Sequence, residues 1–262
     1  MSHLGQSMAA RRALPIRAVT FDLDDTLWDT AEVIGAALEV FHAHIDTVAP
    51  AVGSLFGRKA FSDEMAKTSA AAPEIAHDFT TLRRCTLARC AETAGLPAAA
   101  IPPLVDGAFE AFAVQRSSPA LWPAVLPALG ALRERGLALA AITNGNADLQ
   151  RIAELREVFA FCVTAAEAGG AKPMAAPFEL AQQRLGIPKE QILHVGDDFE
   201  ADVKGAKAAG YGGAVLVLTS FDGSGRERFP EADAIVRDMS ELPAAVEQIC
   251  QRQLPAADAS ST

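Results

Sequence analysis

Short apolar segments that end on polar or acidic residues alternate with helical segments over most of this chain. RAVTF runs into the acidic turn DLDDT, LALAAIT stops at TNGN, QILHVGDD ends on two aspartates, and AVLVLTS follows. Strands that are buried on both faces have continuous apolar runs, and their alternation with helices is typical of a parallel sheet. The pattern therefore predicts an α/β fold, with a doubly wound, Rossmann-like parallel sheet covered by helices on both faces.

A long helical segment interrupts this alternation early in the chain. Between residues 30 and 118 the sequence is rich in alanine and its apolar residues recur with a period near 3.6, as in AEVIGAALEVFHAHI. We interpret residues 30–118 as an all-helical domain inserted into a discontinuous core of residues 14–29 and 119–254. Residues 1–13 and 255–262 are small and polar, and they are predicted to be flexible tails.

The rest of the core follows from the same periodicities. We predict further strands at FAFCVTA and DAIV. The predicted core helices are VLPALGALRERG, ADLQRIAELREV, APFELAQQRLG, ADVKGAKAAG and LPAAVEQICQRQ.

Composition disfavours several classes of partner. A formal net charge of −10 and a pI of about 5.0 disfavour binding to nucleic acid. The uncharged run Leu121–Leu132 contains two prolines and is too short to span a bilayer, so no membrane partner is expected. The cysteines show no CxxC motif and no zinc-ligand spacing, which predicts reduced thiols in a cytoplasmic protein. They are Cys85, Cys90, Cys162 and Cys250.

Two carboxylates follow the first predicted strand. Asp22 and Asp24 are two residues apart, so both side chains can reach one site at the end of that strand. One carboxylate can attack an electrophile while the other transfers protons or binds a metal ion. The alternative is an acidic turn or helix start in which the same residues only cap the backbone.

Two later segments add groups that suit an anionic substrate. Thr143 and Asn144 end the strand LALAAIT, where a hydroxyl and free backbone N–H groups can hold a phosphate oxygen. Lys172 follows a Gly-Gly loop, and beside carboxylates it would offset the charge of a nucleophile and of an incoming phosphoryl group. Each segment alone could equally be an ordinary turn or a surface loop.

A second acidic cluster follows another predicted strand. Asp197, Asp198 and Asp202 lie at the end of QILHVGDD and just beyond it. Ligands of doubly wound sheets bind beyond the carboxyl ends of the strands, where this cluster would meet Asp22 and Asp24. Such a set of carboxylate oxygens suits Mg²⁺, and without a nearby cation their mutual repulsion would be costly.

These motifs, in this order, resemble the haloacid dehalogenase (HAD) superfamily of phosphohydrolases. The resemblance covers about residues 17–218 and rests on FDLDDTLWDT, AITNGN, AKPMAAPF and HVGDDFEAD. It implies that Asp22 is a nucleophile that becomes phosphorylated and that Asp24 is the general acid and base. It also implies that the helical insert is an α-helical cap that closes over the site.

The resemblance assigns the remaining site residues as well. The substrate phosphate would be bound by Thr143, Asn144 and Lys172, with Thr143 and Lys172 also counted as catalytic. The cofactor would be Mg²⁺, held by Asp22, by the backbone carbonyl of Asp24 and by Asp197. Asp198 and Asp202 would lie behind these ligands, with Asp202 orienting Lys172.

One subgroup of the family is especially similar. With PEIAHDFTTLRRCTLARCAETAGL, the motifs look like those of bacterial HAD phosphatases acting on FMN and on 5-amino-6-(5-phospho-ribitylamino)uracil. The expected partner is thus a small phosphorylated metabolite, with no nucleic acid and no membrane, and the expected assembly is a monomer or homodimer.

Other functions remain to be weighed against this one. A 2-haloacid dehalogenase uses the same nucleophile but needs neither a second acid nor magnesium, so Asp24, Asp197 and Asp198 argue against it. A phosphomutase would share every core residue and stays open. A receiver-like signalling module has a similar order of groups but is much shorter and lacks the insert. An inactive binding protein would be expected to have lost at least one of these groups.

The insert carries further polar side chains. His77 is either a structural helix residue or a cap residue that faces the substrate, while His42, His44 and His194 are taken as structural. Most of the insert's arginines are predicted to lie on solvated helix faces, with one of them able to meet a substrate anion. They include Arg83, Arg84, Arg89 and Arg116.

Overall fold

The structure is a computed structural model that describes residues 16–219 and 223–253. Residues 14 and 15 of the predicted core and both predicted tails, 1–13 and 255–262, lie outside the described residues. None of the helices in the described ranges combines the length and apolar character that a membrane span requires.

Six parallel strands form one sheet, in the order β3-β2-β1-β4-β5-β6. This confirms the predicted α/β class. The strands are β1 Ala18–Phe21, β2 Ala138–Thr143, β3 Cys162–Thr164, β4 Ile192–Gly196, β5 Gly213–Val217 and β6 Ala234–Val236.

The register of the central strands brings the predicted motifs to one edge. Phe21, the last residue of β1, pairs with Ala141 in β2 and with Val195 in β4. The segments that follow these three residues therefore leave the sheet side by side, as expected for the carboxyl ends of neighbouring parallel strands. They carry Asp22, Thr143 and Asp197.

Helices cover both faces of the sheet, because alternate side chains of each buried strand point to opposite sides. On one face, Phe21 packs in an apolar cluster with Leu129 and Val246. On the other face, Ala18 packs in a cluster with Phe178. The core helices are α6 Val125–Glu134, α7 Ala165–Ala168, α8 Ala175–Leu185, α9 Gly205–Ala209 and α10 Leu242–Gln253. The predicted doubly wound arrangement is therefore confirmed.

The segment between β1 and α6 is helical and has an apolar cluster of its own. Phe41, Leu87 and Phe112 are buried in this cluster, which is separate from the two clusters against the sheet. Asp29 caps the first helix by accepting a hydrogen bond from the backbone N–H of Glu32 at 3.0 Å. The five helices are α1 Thr30–Val48, α2 Pro50–Leu55, α3 Arg58–Ala71, α4 Phe79–Thr93 and α5 Ile101–Arg116.

The two connections between this helical block and the sheet run side by side. The backbone N–H of Trp122 donates to the carbonyl oxygen of Leu27 at 3.0 Å, and Trp28 forms an antiparallel bridge with Leu121. Trp28 is fully buried and packs in the same apolar cluster as Phe21. The entry and exit of the helical block are therefore held together.

The helix predicted for ADLQRIAELREV is wrong. The Asp148 side chain accepts a hydrogen bond from the Gln150 backbone at 3.0 Å and begins a single tight turn, Leu149–Arg151. The chain then continues without regular structure to β3, while Ile152 and Leu155 are buried in the core. The apolar residues whose spacing predicted a helix are thus buried, but the backbone that carries them is irregular. Tertiary packing has overridden the helical propensity of the segment.

Candidate active site

Lys172 lies at the centre of the site. Its ammonium group donates to Asp22 Oδ1 at 2.6 Å, to Asp202 Oδ1 at 2.6 Å and to the carbonyl oxygen of Ile142 at 2.8 Å. These three bonds use all the donors that a lysine has. Lys172, Asp202 and Asp22 are all buried. One cation is therefore shared by two buried carboxylates from different segments.

Burial and this shared cation set the charges of the three groups. Burial raises the pKa of Asp22 to about 8, and the nearby Asp202 carboxylate adds to the rise although Lys172 opposes it. Burial raises the pKa of Asp202 too, but Lys172 and His194 outweigh it and hold that pKa well below its usual range. Burial lowers the pKa of Lys172, but the two carboxylates reverse this and raise it above its usual value. Lys172 and Asp202 thus form the permanent ion pair.

A hydrogen-bond network fixes Asp202 behind the site. Its Oδ1 pairs with His194 Nε2 at 3.1 Å, and its Oδ2 accepts the backbone N–H of Asp198 at 3.0 Å. The other ring nitrogen of His194 lies 2.8 Å from the Thr20 hydroxyl. Burial lowers the pKa of His194, which favours the neutral ring. His194, taken as structural from sequence, is therefore one of the residues that orient Asp202.

Three carboxylates could share a metal ion. One oxygen from each of Asp22, Asp197 and Asp202 lies within 4.8 Å of the others. Asp202 is held by Lys172, His194 and the Asp198 backbone N–H, which is more partners than Asp22 or Asp197 has, so Asp22 and Asp197 are the freer ligands. Burial raises the pKa of Asp197 to about 6, with Asp202 adding to the rise. The oxygen-only donor set fits Mg²⁺, which would also relieve this crowding of carboxylates.

Thr26 and Asp198 lie next to the candidate metal ligands, and each makes different contacts there. The Thr26 hydroxyl lies 3.4 Å from Asp22 Oδ2 and 3.2 Å from Asp197 Oδ1, so it connects the two candidate ligands. The Asp198 side chain accepts the backbone N–H groups of Glu200 and Ala201, both at 2.8 Å. Asp198 thereby caps the wide helical turn Phe199–Lys204, and it is not one of the three carboxylates that could share a metal ion.

The loop after β2 supplies a hydroxyl and positions Lys172. Thr143 is fully buried, and its hydroxyl accepts the backbone N–H of Gly145 at 2.9 Å. The Asn144 side chain accepts the backbone N–H of Lys172 at 2.7 Å and donates to its carbonyl oxygen at 3.0 Å. The side chain of Asn144 is therefore engaged by the lysine loop, which leaves its backbone N–H as the group able to bind phosphate.

Asp24 lies apart from this network and contacts the helical block. Arg116 Nη2 donates to its two carboxylate oxygens at 2.7 and 2.6 Å, and Trp28 Nε1 donates to Oδ1 at 2.9 Å. Arg116 is the last residue of α5 and is only 1% exposed. The second carboxylate of the motif is thus held by a cation from the insert, next to the mouth of the site.

The prediction of solvated arginines is therefore wrong for two positions. Arg83 and Arg116 are both buried. The sequence contains a pattern that indicates their burial, because Arg116 is four residues after Phe112 and Arg83 is four residues before Leu87. Each arginine therefore interrupts the apolar stripe of its helix. The contacts of Thr26 and Trp28, in contrast, have no signal beyond the closeness of both residues to the acidic turn.

Two neighbouring clefts open at this edge of the sheet. One has a volume of about 260 Å³ and contains the acidic cluster, Thr143 and Lys172. The other has a volume of about 430 Å³ and lies between the turn that begins α4 and the segments around β3. Phe79 and Gly145 line both clefts, and His77 lines the larger one. A substrate group bound at the acidic cluster would thus have space to extend toward His77.

Comparisons with known proteins agree with this geometry. A sequence profile described as "Hydrolase: haloacid dehalogenase-like hydrolase" matches residues 16–210. The chain is 34% identical to 5-amino-6-(5-phospho-D-ribitylamino)uracil phosphatase YigB of Escherichia coli K12, over 74% of this chain and 81% of that protein. It is 31% identical to phosphoglycolate phosphatase of Salmonella typhi, over 74% of this chain and 79% of that protein.

A solved structure with the same fold bears the name of a different enzyme. The crystal structure of 2-haloacid dehalogenase from Pseudomonas syringae pv. Tomato DC3000 matches with a TM-score of 0.81 and 33% identity. The match covers 89% of this chain and 99% of that one. Phosphate ester hydrolysis and halide displacement are therefore the two reactions to distinguish at this site.

Proposed function

The chain belongs to the haloacid dehalogenase-like hydrolases, and on that premise we propose that it is a magnesium-dependent phosphomonoester hydrolase that works through an aspartyl-phosphate. The observation that carries the proposal is the cluster at the ends of β1 and β4. There Lys172 bonds Asp22 at 2.6 Å, and the Asp22 and Asp197 oxygens lie within 4.8 Å of each other.

In the proposed first step, Asp22 attacks phosphorus and the ester bond to the leaving oxygen breaks. Asp24 donates its proton to that oxygen as the bond breaks. Thr143 and Lys172 would bind the phosphoryl oxygens, whose charge the ammonium group offsets. In the second step, Asp24 removes a proton from water, and the water hydrolyses the aspartyl-phosphate to regenerate Asp22.

Magnesium would be held by Asp22, Asp197 and the backbone carbonyl of Asp24. When bound, the ion would neutralise charge on the phosphoryl group and on the two carboxylates. Asp202 would orient Lys172, consistent with the bond of 2.6 Å between them, and Asp198 would support the turn behind the site.

The substrate proposed for the first assay is 5-amino-6-(5-phospho-D-ribitylamino)uracil, followed by FMN. Support comes from the match to YigB over most of both chains and from the cleft of about 430 Å³ beside the acidic cluster. Residues 30–118 would act as the cap over that cleft. We further propose a cytoplasmic monomer or homodimer, in line with the four free cysteines.

The test is phosphate release from p-nitrophenyl phosphate with and without Mg²⁺, followed by a panel of phosphorylated metabolites. We expect steady turnover that requires Mg²⁺ and is absent from the Asp22→Asn variant. Turnover by that variant at the wild-type rate would contradict the proposed nucleophile. A panel in which the pyrimidine phosphate and FMN rank below simple esters would contradict the proposed substrates.

A 2-haloacid dehalogenase is the second candidate, because the Pseudomonas syringae structure of that name superposes well. Halide release from 2-chloropropionate tests it directly. The phosphatase is favoured because Asp24 and the acidic cluster have no role in displacing a halide by Asp22. Halide release without any phosphate release would reverse this order.

A further inference from the structure

Two buried arginines in the helical block have more hydrogen-bond donors than their present contacts use. Arg83 on α4 is 7% exposed and Arg116 on α5 is 1% exposed. The Arg83 guanidinium lies 4.1 Å from the centre of the Phe112 ring. Phe112 is one helical turn before Arg116 on α5. Arginine is almost never fully buried unless it is paired. Their positions therefore call for partners.

The partners present account for only part of their hydrogen-bonding capacity. Arg116 uses Nη2 on Asp24, while its Nε and Nη1 are enclosed and have no partner among the described residues. Arg83 Nε and Nη1 are likewise enclosed and have no hydrogen-bond partner within the described residues. Burial and the neighbouring Arg116 lower the pKa of Arg83 to about 10, as expected for two cations near each other. Buried donors without acceptors are costly, and an acceptor would remove that cost.

Arg116 lies on the leaving-group side of the site. Arg116 bonds Asp24, the group proposed to protonate the leaving oxygen. A methyl group added at Gly145 would lie 3.1 Å from Arg116 Nη2 and 3.2 Å from the Thr143 hydroxyl, so this arginine reaches the proposed phosphoryl loop. Arg83 lies over Phe112 and is close enough to Arg116 for the two cations to repel each other.

We propose that Arg83 and Arg116 form a donor subsite for oxygen acceptors that the leaving group carries close to its ester oxygen. Hydroxyls of a phosphorylated polyol chain and the carboxylate of a phosphorylated acid share this chemistry. The inference rests on the proposed phosphatase function and adds what that function leaves open, namely which leaving groups are preferred. An alkyl chain without oxygen atoms would leave the arginine donors unpaired.

The experiment compares matched esters with the magnesium-loaded protein. Glycerol 3-phosphate is paired with propyl phosphate, and phosphoglycolate is paired with ethyl phosphate. In at least one pair we expect kcat/KM to favour the acceptor-bearing ester by about 10- to 100-fold, the range expected for hydrogen bonds from a charged donor. The pair that shows the preference distinguishes hydroxyl from carboxylate acceptors.

Substitutions then assign the preference to its residue. Arg83→Met should reduce the ratio within the preferred pair toward 1, and Arg83→Lys should reduce it partly because the ammonium lacks the planar fork. Arg84→Met is the matched control, since Arg84 is the next residue, is partly exposed and pairs with Asp106 on the surface. This control should keep the wild-type ratio.

Each outcome decides the matter. Turnover of p-nitrophenyl phosphate without a preference in either pair would overturn the subsite and leave the phosphatase intact. An unchanged ratio in Arg83→Met or Arg83→Lys, with a native circular dichroism spectrum, would also overturn it. Absence of all phosphate release from the wild type would instead refute the function on which the subsite depends.

Discussion

Replacing Gly145 with alanine should remove acid catalysis while leaving the fold intact. A β-carbon at this position would lie 2.3 Å from Asp24 Oδ2, whereas ordinary contact begins near 3.4 Å. The carboxylate would therefore have to move by about 1 Å, which breaks its bonds to Arg116 at 2.6 Å and Trp28 at 2.9 Å. Misplacing a catalytic group by about 1 Å costs on the order of 10²-fold in rate. That loss corresponds to about 2.7 kcal/mol of transition-state stabilisation.

The assay compares two leaving groups. An alkyl phosphate needs protonation of its leaving oxygen, so its kcat/KM should fall by about 10²-fold, within the range for general acid catalysis. An aryl phosphate has a better leaving group, and its first step should fall much less. Inhibition by inorganic phosphate reports whether Thr143, whose hydroxyl would be 3.2 Å from the new carbon, still binds the phosphoryl group.

Gly35→Ala is the matched control, because Gly35 lies within α1 and an added carbon there meets nothing within 4 Å. It should keep full activity and gain about 0.5–1 kcal/mol in helix stability. Equal losses on alkyl and aryl esters in Gly145→Ala would refute the reasoning, as would full retention of alkyl phosphatase activity.

Three further outcomes are expected from the charges of the site. Asp22→Asn should abolish phosphate release because an amide is a poor nucleophile, and activity near wild type would exclude covalent catalysis by Asp22. Lys172→Met should lower the free energy of unfolding in urea by about 3–5 kcal/mol, because it leaves Asp22 and Asp202 buried without their shared cation; a loss below about 1 kcal/mol would contradict this. The affinity for Mg²⁺ should increase with pH up to about 8, since the raised pKa of about 8 keeps Asp22 protonated below that value and the ion needs the carboxylate. Calorimetry should record about tenfold weaker binding per pH unit between pH 8 and about 6, where Asp197 begins to bind a proton as well, and pH-independent affinity in this range would show that Asp22 is already ionised.

Much of the fold could be predicted because its strands carry a strong local signal. β1, β2, β4 and β5 are buried over nearly their whole length, so each has the continuous apolar sequence that distinguishes a central parallel strand. Their carboxyl ends carry the polar residues that form the site. The segment after Asn146 could not be predicted in the same way, because its apolar spacing serves core contacts made from an irregular backbone.

Part of the candidate site could likewise be predicted from the sequence, and part could not. Asp22, Lys172 and Asp202 follow predicted strands or loops, and the sheet register brings them together as expected. The contact between Asp24 and Arg116 joins residues separated by most of the insert, so no local pattern reports it. Only the position of Arg116 on an apolar helix face hinted that the side chain is buried.

The order of strands in the sheet has a consequence for synthesis on the ribosome. β1 is translated early but pairs with β2, which begins at Ala138, and with β4, which begins at Ile192. The helical block closes its own apolar cluster within residues 30–116, so its contacts are available much sooner. Contacts that are distant in sequence form slowly because a long loop must close first. Asp22 therefore cannot reach its final surroundings until β4 has emerged, whereas the contacts within the helical block can form before then.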